Sequence, residues 1–168
     1  MQQIPLTRGQ VALVDDDDCE WLSEFNWCAQ WEPRSQSFYG VRAAASRSGQ
    51  PRRKVYIHRA IWEHHHGPIS GGFTVDHADR CSLNNWRANL RLATQSQQNQ
   101  NQRLLSKKNS TGYRGVHRRG QSGNWQAQIQ IAGQQVTLGS FDDPVKAARA
   151  YDVAALQRDP DFAQLNFP

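Results

Sequence analysis

Cysteine is scarce in this sequence, and long hydrophobic runs are absent. Its 168 residues include three cysteines, Cys19, Cys28 and Cys81, and no Cys-x-x-Cys pair. An odd count without that spacing argues against a disulfide framework and a zinc ribbon, and it fits a reducing cytosol. No apolar run approaches the roughly 18 residues of a membrane span, and the opening MQQIPLTRGQ lacks a signal-peptide pattern. We therefore expect a cytoplasmic protein with no membrane partner.

Hydrophobic residues make up 38% of the chain, which is below the usual share. The length suits one ordinary domain or two small ones, so we expect modest cores and large polar surfaces. The net charge is +5. A soluble basic protein would show this charge, and so would one whose partner is an anionic polymer, because Lys and Arg neutralise phosphates.

The most informative stretch runs from residue 75 to residue 101 and reads VDHADRCSLNNWRANLRLATQSQQNQN. Residues 74–77 can form one strand, and Leu90, Leu92 and Thr94 fall at the two-residue period of a second. The long polar segment between them contains loop-forming residues. Residues 95–105 contain neither Gly nor Pro and favour a helix. The local prediction is strand, loop, strand, helix.

The polar residues of this stretch are suited to hydrolytic chemistry. An imidazole such as that of His77 can take a proton from water near neutral pH. The Asp76 carboxylate is a hard oxygen ligand for a divalent cation such as Mg²⁺. Amides that can hold a loop or complete a coordination sphere are those of Asn89, Gln98, Asn99 and Asn101.

An Asp-His pair followed by Asn-Asn, Asn-Leu and an amide-rich helix resembles the HNH nuclease motif. Upstream, residues 4–29 and the Ile57-His58-Arg59 segment look like phage and bacterial HNH homing endonucleases. The resemblance covers essentially the first two thirds of the chain. It implies a hairpin and a helix clamped around one metal ion, with the ββα-metal motif at about residues 73–105.

The resemblance implies a role for each matching residue. His77 would be the general base, and Asn89 would hold the loop that orients it. Asp76 would be one ligand of Mg²⁺ or of another divalent cation such as Mn²⁺. The second ligand is Gln98 by the family's spacing from Ala93-Thr94, although the family usually has His or Asn there, so Asn99 stays open. Further residues with a phosphate-binding or structural role would be His58, Arg59, Asn85 and Asn101.

Three charged runs have competing interpretations. Residues 15–18 are four aspartates that suggest a metal site, but acidic residues also favour a helix N-terminus, with Leu22 and Phe25 facing inward. His64, His65 and His66 look like ligands, yet consecutive residues rarely converge on one ion, which favours a solvated helix end. Residues 52–54 are basic and suit either a DNA backbone contact or a solvated strand edge.

Beyond a polar linker at residues 106–111, the pattern predicts three strands and a helix. Asp143 is a natural N-cap residue and Pro144 fits the first helical position. This half resembles the Apetala-two/ethylene-response-factor (ERF) DNA-binding domain. The matching segments are Tyr113-Arg114-Gly115-Val116, Trp125, residues 138–141 and residues 147–155.

The ERF resemblance implies that a sheet enters the major groove of duplex DNA with one helix behind it. His117, Gln130 and Thr137 stand where the plant proteins usually carry Arg, Arg and Trp, so the plant target sequence cannot be transferred. Gln side chains pair well with adenine, although the Gln face can also be merely solvated. The candidate DNA-binding residues are Arg114, His117, Arg118, Arg119, Trp125, Gln126, Gln128 and Gln130.

The sequence thus predicts an α+β protein with two modules. Residues 1–105 would form a small mixed α/β HNH endonuclease domain, and residues 112–168 a three-stranded antiparallel sheet packed on one helix. The predicted function is metal-dependent, sequence-directed DNA cleavage, with duplex DNA as partner and no small-molecule cofactor. One site per chain implies nicking by a monomer, and double-strand cleavage would need a dimer. The alternative is a non-cleaving DNA-binding protein or regulator with a degenerate HNH fold, and RNA as substrate is a weaker third hypothesis.

Overall fold

The computed structural model describes residues 1–44, 53–100, 109–120 and 123–168. It contains two compact units, Met1–Ser96 and Gln97–Pro168. The chain is mixed α+β, as the sequence predicts, with several small antiparallel sheets and four helices among the described residues. No helix in these ranges is long and apolar enough to cross a bilayer.

The first unit begins with a hairpin. Strands β1 (Gln2–Pro5) and β2 (Val11–Val14) pair antiparallel, and the turn between them places Arg8 and Gly9 at positive φ. Helix α1 (Asp16–Ser23) follows. The acidic residues in its first turn are stabilised by the positive end of the helix dipole. Leu22 is buried, as predicted, but Phe25 is 38% exposed because the helix ends before it, so its predicted inward orientation is wrong.

A second small sheet and a helix complete the core of this unit. Strands β3 (Cys28–Glu32), β4 (Ser37–Ala43) and β5 (Lys54–Tyr56) are antiparallel in the order β3-β4-β5. Helix α2 (Ile57–His66) follows directly and buries Ile57 and Ile61. In the basic cluster at residues 52–54, Arg52 lies outside the described residues. Lys54 is exposed and belongs to β5, an edge strand of this sheet. The shared core comprises Ile4, Leu6, Ala12, Val14, Leu22, Trp27, Ala29, Ile57, Ile61, Val75 and Leu90.

The predicted strand-loop-strand-helix series is present in the structure. Strands β6 (Phe73–His77) and β7 (Leu90–Thr94) pair antiparallel, with His77 opposite Leu90. The long connection between them returns to the first hairpin, because Leu13 donates its N–H to Leu83 and accepts the N–H of Asn85. Helix α3 (Gln95–Gln100) follows β7. The rest of the predicted helix, from residue 101 to residue 105, lies outside the described residues.

The second unit contains a three-stranded sheet backed by one long helix. Strands β8 (Val116–Arg118), β9 (Trp125–Ile131) and β10 (Gln134–Phe141) are antiparallel in the order β10-β9-β8. Helix α4 (Pro144–Arg158) has Pro144 in its first turn, and the Asp143 side chain caps it by accepting the N–H of Val145. The core between sheet and helix is Val116, Ala127, Ala147 and Ala148.

Ala147 and Ala148 of α4 are buried against Val116 and Ala127, and their small side chains let the helix approach the sheet closely. Part of the predicted linker, residues 106–108, is outside the described ranges. The remaining part belongs to the second unit, since Asn109 bonds to Tyr113 and the Thr111 hydroxyl donates to the carbonyl of Val116. The module boundaries at 105 and 112 remain a prediction.

Candidate active site and nucleic-acid interface

His77 occupies the last position of β6 and is only 6% exposed. Side chains alternate along a strand, so His77 shares the face of buried Val75. Its Nε2 atom lies 3.2 Å from the Oδ1 atom of Asn85, which is itself buried in the following loop. The strand therefore fixes one end of the imidazole and the loop fixes the other.

An aromatic cluster surrounds His77. The ring of His58, on the first turn of α2, lies edge-on at 5.0 Å between centroids. Tyr39 of β4 contacts both imidazoles, at 5.7 Å from His58 and 6.3 Å from His77, and Tyr56 lies 5.5 Å from His58. These rings pack around the two histidines and hold them against the small sheet.

Burial in this cluster favours the neutral form of both imidazoles. Burial lowers the pKa of His58 well below its ordinary value, and the neighbouring charges of His77 and Arg59 act in the same direction. Burial also lowers the pKa of His77, although the Asn85 hydrogen bond and the charges of Asp76 and Asp79 partly oppose this. A neutral His77 at physiological pH is the form that can accept a proton.

Asn89 holds the loop between the two strands. Its Oδ1 atom accepts the N–H of Asp79 at 2.9 Å, while its Nδ2 donates to Asp79 Oδ1 at 2.9 Å and to the carbonyl of Asn84 at 2.7 Å. Its own carbonyl accepts the N–H of Ala78, directly after His77. Asn89 therefore closes the loop across its base.

The Asp79 carboxylate accepts hydrogen bonds from the asparagine side chains of this loop. Burial raises the pKa of its carboxyl, but hydrogen bonds from Asn84, from the Cys81 N–H and from Asn89 outweigh this and leave the pKa lowered. The carboxylate is therefore ionised at neutral pH and accepts bonds throughout the turn.

Asp76 precedes His77 on β6 and, by strand alternation, faces the other side of the hairpin. Its cross-strand partner is Arg91, whose Nε and Nη2 atoms lie 3.2 and 3.1 Å from Asp76 Oδ2. The carboxylate of the predicted metal ligand Asp76 is thus held in one orientation by an ion pair with Arg91.

The amide ligands predicted for the metal lie on α3, which begins directly after β7 and carries Gln98 and Asn99. Asn101 lies outside the described residues. Within the described ranges no group of three His, Cys, Asp or Glu side chains gathers to hold an ion. Carboxylate and amide oxygens are ligand types that Mg²⁺ takes, together with several waters.

The four aspartates at residues 15–18 act as tertiary links. Asp15 Oδ2 accepts the backbone N–H of Arg87 at 2.7 Å, and the Arg87 guanidinium reaches Asp17 at 3.0 Å. Asp15 is the N-cap residue of α1, without a side-chain capping bond. These contacts join the start of α1 to the turn before β7.

The three histidines at the end of α2 are also engaged, so the interpretation of a merely solvated helix end is incomplete. His65 Nε2 lies 2.7 Å from Oδ1 of the fully buried Asp18. His64 stacks on Trp21 with 4.6 Å between ring centroids, and His66 lies 4.3 Å from Trp62. Each histidine contacts a different partner, which argues against a shared ion.

The second unit presents a polar sheet face. Cross-strand partners lie on the same face, and the register pairs His117 with Gln126 and Gln126 with Ser140. Farther along, Gln128 pairs with Thr137 and Gln130 with Gln135. The Nε2 of Gln135 donates to Gln128 Oε1 at 2.6 Å, and an Arg119 Nη1 donates to the Ser140 hydroxyl at 3.3 Å. Amide, hydroxyl and guanidinium groups thus cover the side of the sheet away from α4.

Arg118 and Trp125 occupy the opposite side of the sheet. They are cross-strand partners, and their alternation places them with Val116 and Ala127, which pack on α4. The Arg118 guanidinium lies 6.0 Å from the Trp125 ring. Arg114 precedes the sheet, and Asn166 holds its backbone through bonds to both its N–H and its carbonyl.

Several residues of these sites carry no strong sequence signal. Tyr39 belongs to a strand far from the motif, and Arg91 reads as an ordinary polar position of β7. Asp152 is buried on α4 and accepts the backbone N–H groups of Asn166 and Phe167. The two-residue alternation of β6 and β7 does not by itself predict that Arg91 pairs with Asp76, because that pairing depends on the register of the two strands.

Sequence comparisons agree with the geometry of the first unit. A sequence model described as HNH endonuclease matches residues 55–100, which include His58, His77, Asn85 and Asn89. Protein 3.8 of Escherichia phage T7 is 33% identical over 92 residues, covering 55% of this chain and 72% of that protein.

The chain belongs to the HNH endonuclease family.

This HNH family member is also similar to plant proteins. Ethylene-responsive transcription factor ERF024 of Arabidopsis thaliana is 45% identical over 58 residues, which cover 33% of this chain and 32% of that protein. Dehydration-responsive element-binding protein 1J of Oryza sativa subsp. indica is 40% identical over 58 residues, covering 33% and 24%. The chain therefore spans about a third or less of these plant relatives, and the resemblance to ERF proteins is confirmed.

Proposed function

We propose that this chain is a metal-dependent, sequence-directed DNA endonuclease of the homing type that nicks duplex DNA as a monomer. The observation that carries the proposal is the buried His77, held by β6 and by its contact with Asn85, inside the segment that matches the HNH endonuclease family. A general base must be held in place and unprotonated; the loop contact supports the first requirement, and burial, which lowers the pKa of the ring, supports the second.

In the proposed reaction His77 takes a proton from a water that attacks the scissile phosphodiester. Asn89 maintains the loop that positions the ring. Asp76 would hold Mg²⁺, and the family resemblance assigns the second ligand to Gln98 or Asn99. Although Asp76 and His77 point to opposite faces of β6, the strand ends at His77, so a phosphate beyond that end would have to reach both side chains. When bound, the ion would supply positive charge to the phosphate and the leaving 3′ oxygen. Arg91 keeps the Asp76 carboxylate oriented through its two-nitrogen contact.

The C-terminal sheet would direct the enzyme to its site. The side of the sheet away from α4 offers amides that suit base edges and cations that suit phosphates. Because Arg118 and Trp125 lie on the helix side, the proposed DNA surface uses the remaining candidates: Arg114, His117, Arg119, Gln126, Gln128 and Gln130.

A nicking assay on supercoiled plasmid tests the enzyme hypothesis. With Mg²⁺ the protein should convert supercoiled plasmid to the open circle, and chelation should stop the conversion. His77→Ala should abolish nicking while duplex binding persists. His66→Ala is the matched control, since that exposed histidine contacts Trp62 and lies at the end of α2 rather than on β6. Equal nicking by wild type and His77→Ala would rule out the proposed base.

A non-cleaving DNA-binding protein is the second candidate. It is favoured by Gln98 at the position where the family usually has His or Asn, and by the transcription-factor names of the plant relatives. Duplex binding without any metal-dependent nicking would support this regulator hypothesis. Competition with duplex RNA tests the weaker RNA hypothesis, because the shallow groove of duplex RNA does not suit a sheet.

A further inference from the structure

The outer face of the β3-β4-β5 sheet carries polar side chains that the proposed reaction does not use. Cross-strand partners share a face, and the register pairs Val41 with Tyr56 and Ala43 with Lys54. Tyr39 lies two residues before Val41 and therefore on the same side of β4. The opposite face of the sheet packs on the core of the first unit. Two half-buried tyrosines and an exposed lysine thus line the outer face.

The lysine of this face has no acidic partner. Within the described ranges Lys54 forms no ion pair, and neither does Arg59 on the first turn of α2, whereas Arg91 of β7 is paired. The acidic residue Glu32 lies at the far end of β3, where its Oε1 accepts the N–H of Arg34 at 3.2 Å. The end of the face at β5 is therefore positively charged, and this charge is complementary to a phosphate backbone.

The two tyrosines offer hydroxyl groups to a ligand. The rings of Tyr39 and Tyr56 pack edge to face, with 6.1 Å between their centroids, and both contact the ring of His58. A packed tyrosine usually finds a partner for its hydroxyl, but neither hydroxyl has one among the described residues. Tyrosine hydroxyls are among the groups that contact phosphate oxygens in protein–DNA interfaces.

This face is continuous with the candidate catalytic histidine. The ring of Tyr39 lies 6.3 Å from that of His77, and His58 connects Tyr56 to His77 through centroid distances of 5.5 and 5.0 Å. Lys54 lies two residues before Tyr56 on the same edge strand. A strand of DNA with one phosphate at His77 could therefore lay its neighbouring backbone along the tyrosines and the lysine.

We propose that Tyr39, Tyr56 and Lys54 form a second DNA surface, which binds the sugar–phosphate backbone of the cleaved strand beside the scissile phosphate. The tyrosine hydroxyls donate to phosphate oxygens, and the Lys54 ammonium neutralises one phosphate. Contacts of this kind contribute affinity without sequence preference, unlike the glutamine contacts proposed for the second unit. The inference rests on the proposed action of His77 on a DNA phosphodiester.

The salt dependence of duplex binding tests the lysine. The full-length protein is titrated into a fluorescein-labelled DNA duplex of random sequence, with EDTA present to prevent cleavage, at several salt concentrations. Lys54→Gln should reduce the slope of the logarithm of affinity against the logarithm of salt by about one phosphate contact. Arg34→Gln is the matched control, since it removes the same charge from the exposed turn beside Glu32 and should leave the slope unchanged. Equal slopes in Lys54→Gln and the wild type would overturn the proposal.

The double variant Tyr39→Phe/Tyr56→Phe tests the hydroxyls. It keeps both rings, so the aromatic cluster should stay packed, and an equal urea midpoint checks this. Affinity for the same duplex should fall roughly 3–10-fold, because hydrogen bonds to phosphate are lost. Tyr151→Phe is the control, since that ring lies beside Gly115 in the second unit. Unaltered affinity in the double variant would overturn the proposal, and a face that binds another protein instead would give this result.

The outcomes also separate this inference from the proposed function, because binding is measured without cleavage. Weaker binding by the Lys54 and tyrosine variants of a protein that never nicks DNA would support the surface and refute the nuclease. Nicking that depends on His77, with duplex affinity and salt slope unchanged in these variants, would support the nuclease and refute the surface.

Discussion

The two units of this chain use polar side chains in opposite ways. The first unit buries them, and its buried polar residues are Asp18, His58, His77, Ser82, Asn85 and Asn89. The second unit buries Asp152 and keeps its row of glutamines at the surface of the sheet. Buried groups are fixed in one orientation, and burial lowers the pKa of His58 and His77, which suits chemistry, whereas surface groups can exchange partners, which suits recognition.

The surface amides of the second unit bond to one another, and a ligand could exchange these hydrogen bonds for its own. Gln128 accepts from Gln135 and lies 3.5 Å from the Thr137 hydroxyl. Such surface bonds contribute little net free energy, because water offers equivalent partners. Base edges can therefore replace them at small cost, while the bonds of Asn89 cannot be lost without exposing buried partners.

The largest expected effect is a loss of folding stability in the second unit but not in the first. In Gly115→Ala, the added Cβ would collide with the Tyr151 ring and lie 2.5 Å from the carbonyl oxygen of Gln128, at a φ of +67°. We expect a loss of at least about 3 kcal/mol, confined to the second unit. Residue-resolved amide hydrogen exchange measures it.

Gly133→Ala is the matched control, since its φ is +82° and nothing lies within 4 Å of an added Cβ. It should cost about 1 kcal/mol from backbone strain alone. Equal losses in the two variants would show that the close approach of α4 to the sheet is not tight.

A slightly smaller effect is expected for the loop of the first unit. Asn89→Ala leaves the N–H of Asp79 and the carbonyl of Asn84 without their partner, which should cost about 2–4 kcal/mol. Urea unfolding measures the loss, and nicking should fall with it while duplex binding by the second unit persists. A stable Asn89→Ala protein with full nicking would contradict the loop-holding role.

Acidification should weaken the first unit more than the second. His58 is buried with a lowered pKa, so below about pH 6.5 the unfolded chain binds a proton that the folded chain does not. The free energy of unfolding should therefore fall as the pH decreases, by up to about 1.4 kcal/mol per pH unit for this group. His58→Phe should flatten the dependence of urea midpoints on pH, whereas His117→Phe, at an exposed position, should not.

The smallest expected effect is on duplex binding and comes from removing one positively charged side chain. Arg114→Ala should weaken duplex binding and lower the salt dependence by about one phosphate contact, with little change in fold, because Asn166 holds the backbone of residue 114. Arg149→Ala on α4 is the control, since its guanidinium lies over Phe167. Unaltered affinity of Arg114→Ala at low salt would remove this residue from the interface.

The local elements were predictable because local patterns specify them. The period of β6 and β7, the Asp143-Pro144 start of α4 and the alternation of β9 each depend on neighbouring residues. The family match at 55–100 confirms the motif that the Asp-His and Asn-Leu pairs predicted. Phe25 was misplaced because the end of α1 depends on the chain that follows it, and the partner of Asp15 and Asp17 lies some 70 positions away at Arg87.

The sequence by itself determined the α+β class, the two-part organisation of the motifs and the residue types of both sites. Only the tertiary structure decided which atoms meet: Asn85 against the His77 ring, Arg91 against Asp76, and Arg118 with Trp125 on the helix side of the sheet. Periodicity assigns a face to a side chain from local geometry alone. Partners depend on strand register and loop closure, which are set by contacts between distant parts of the chain.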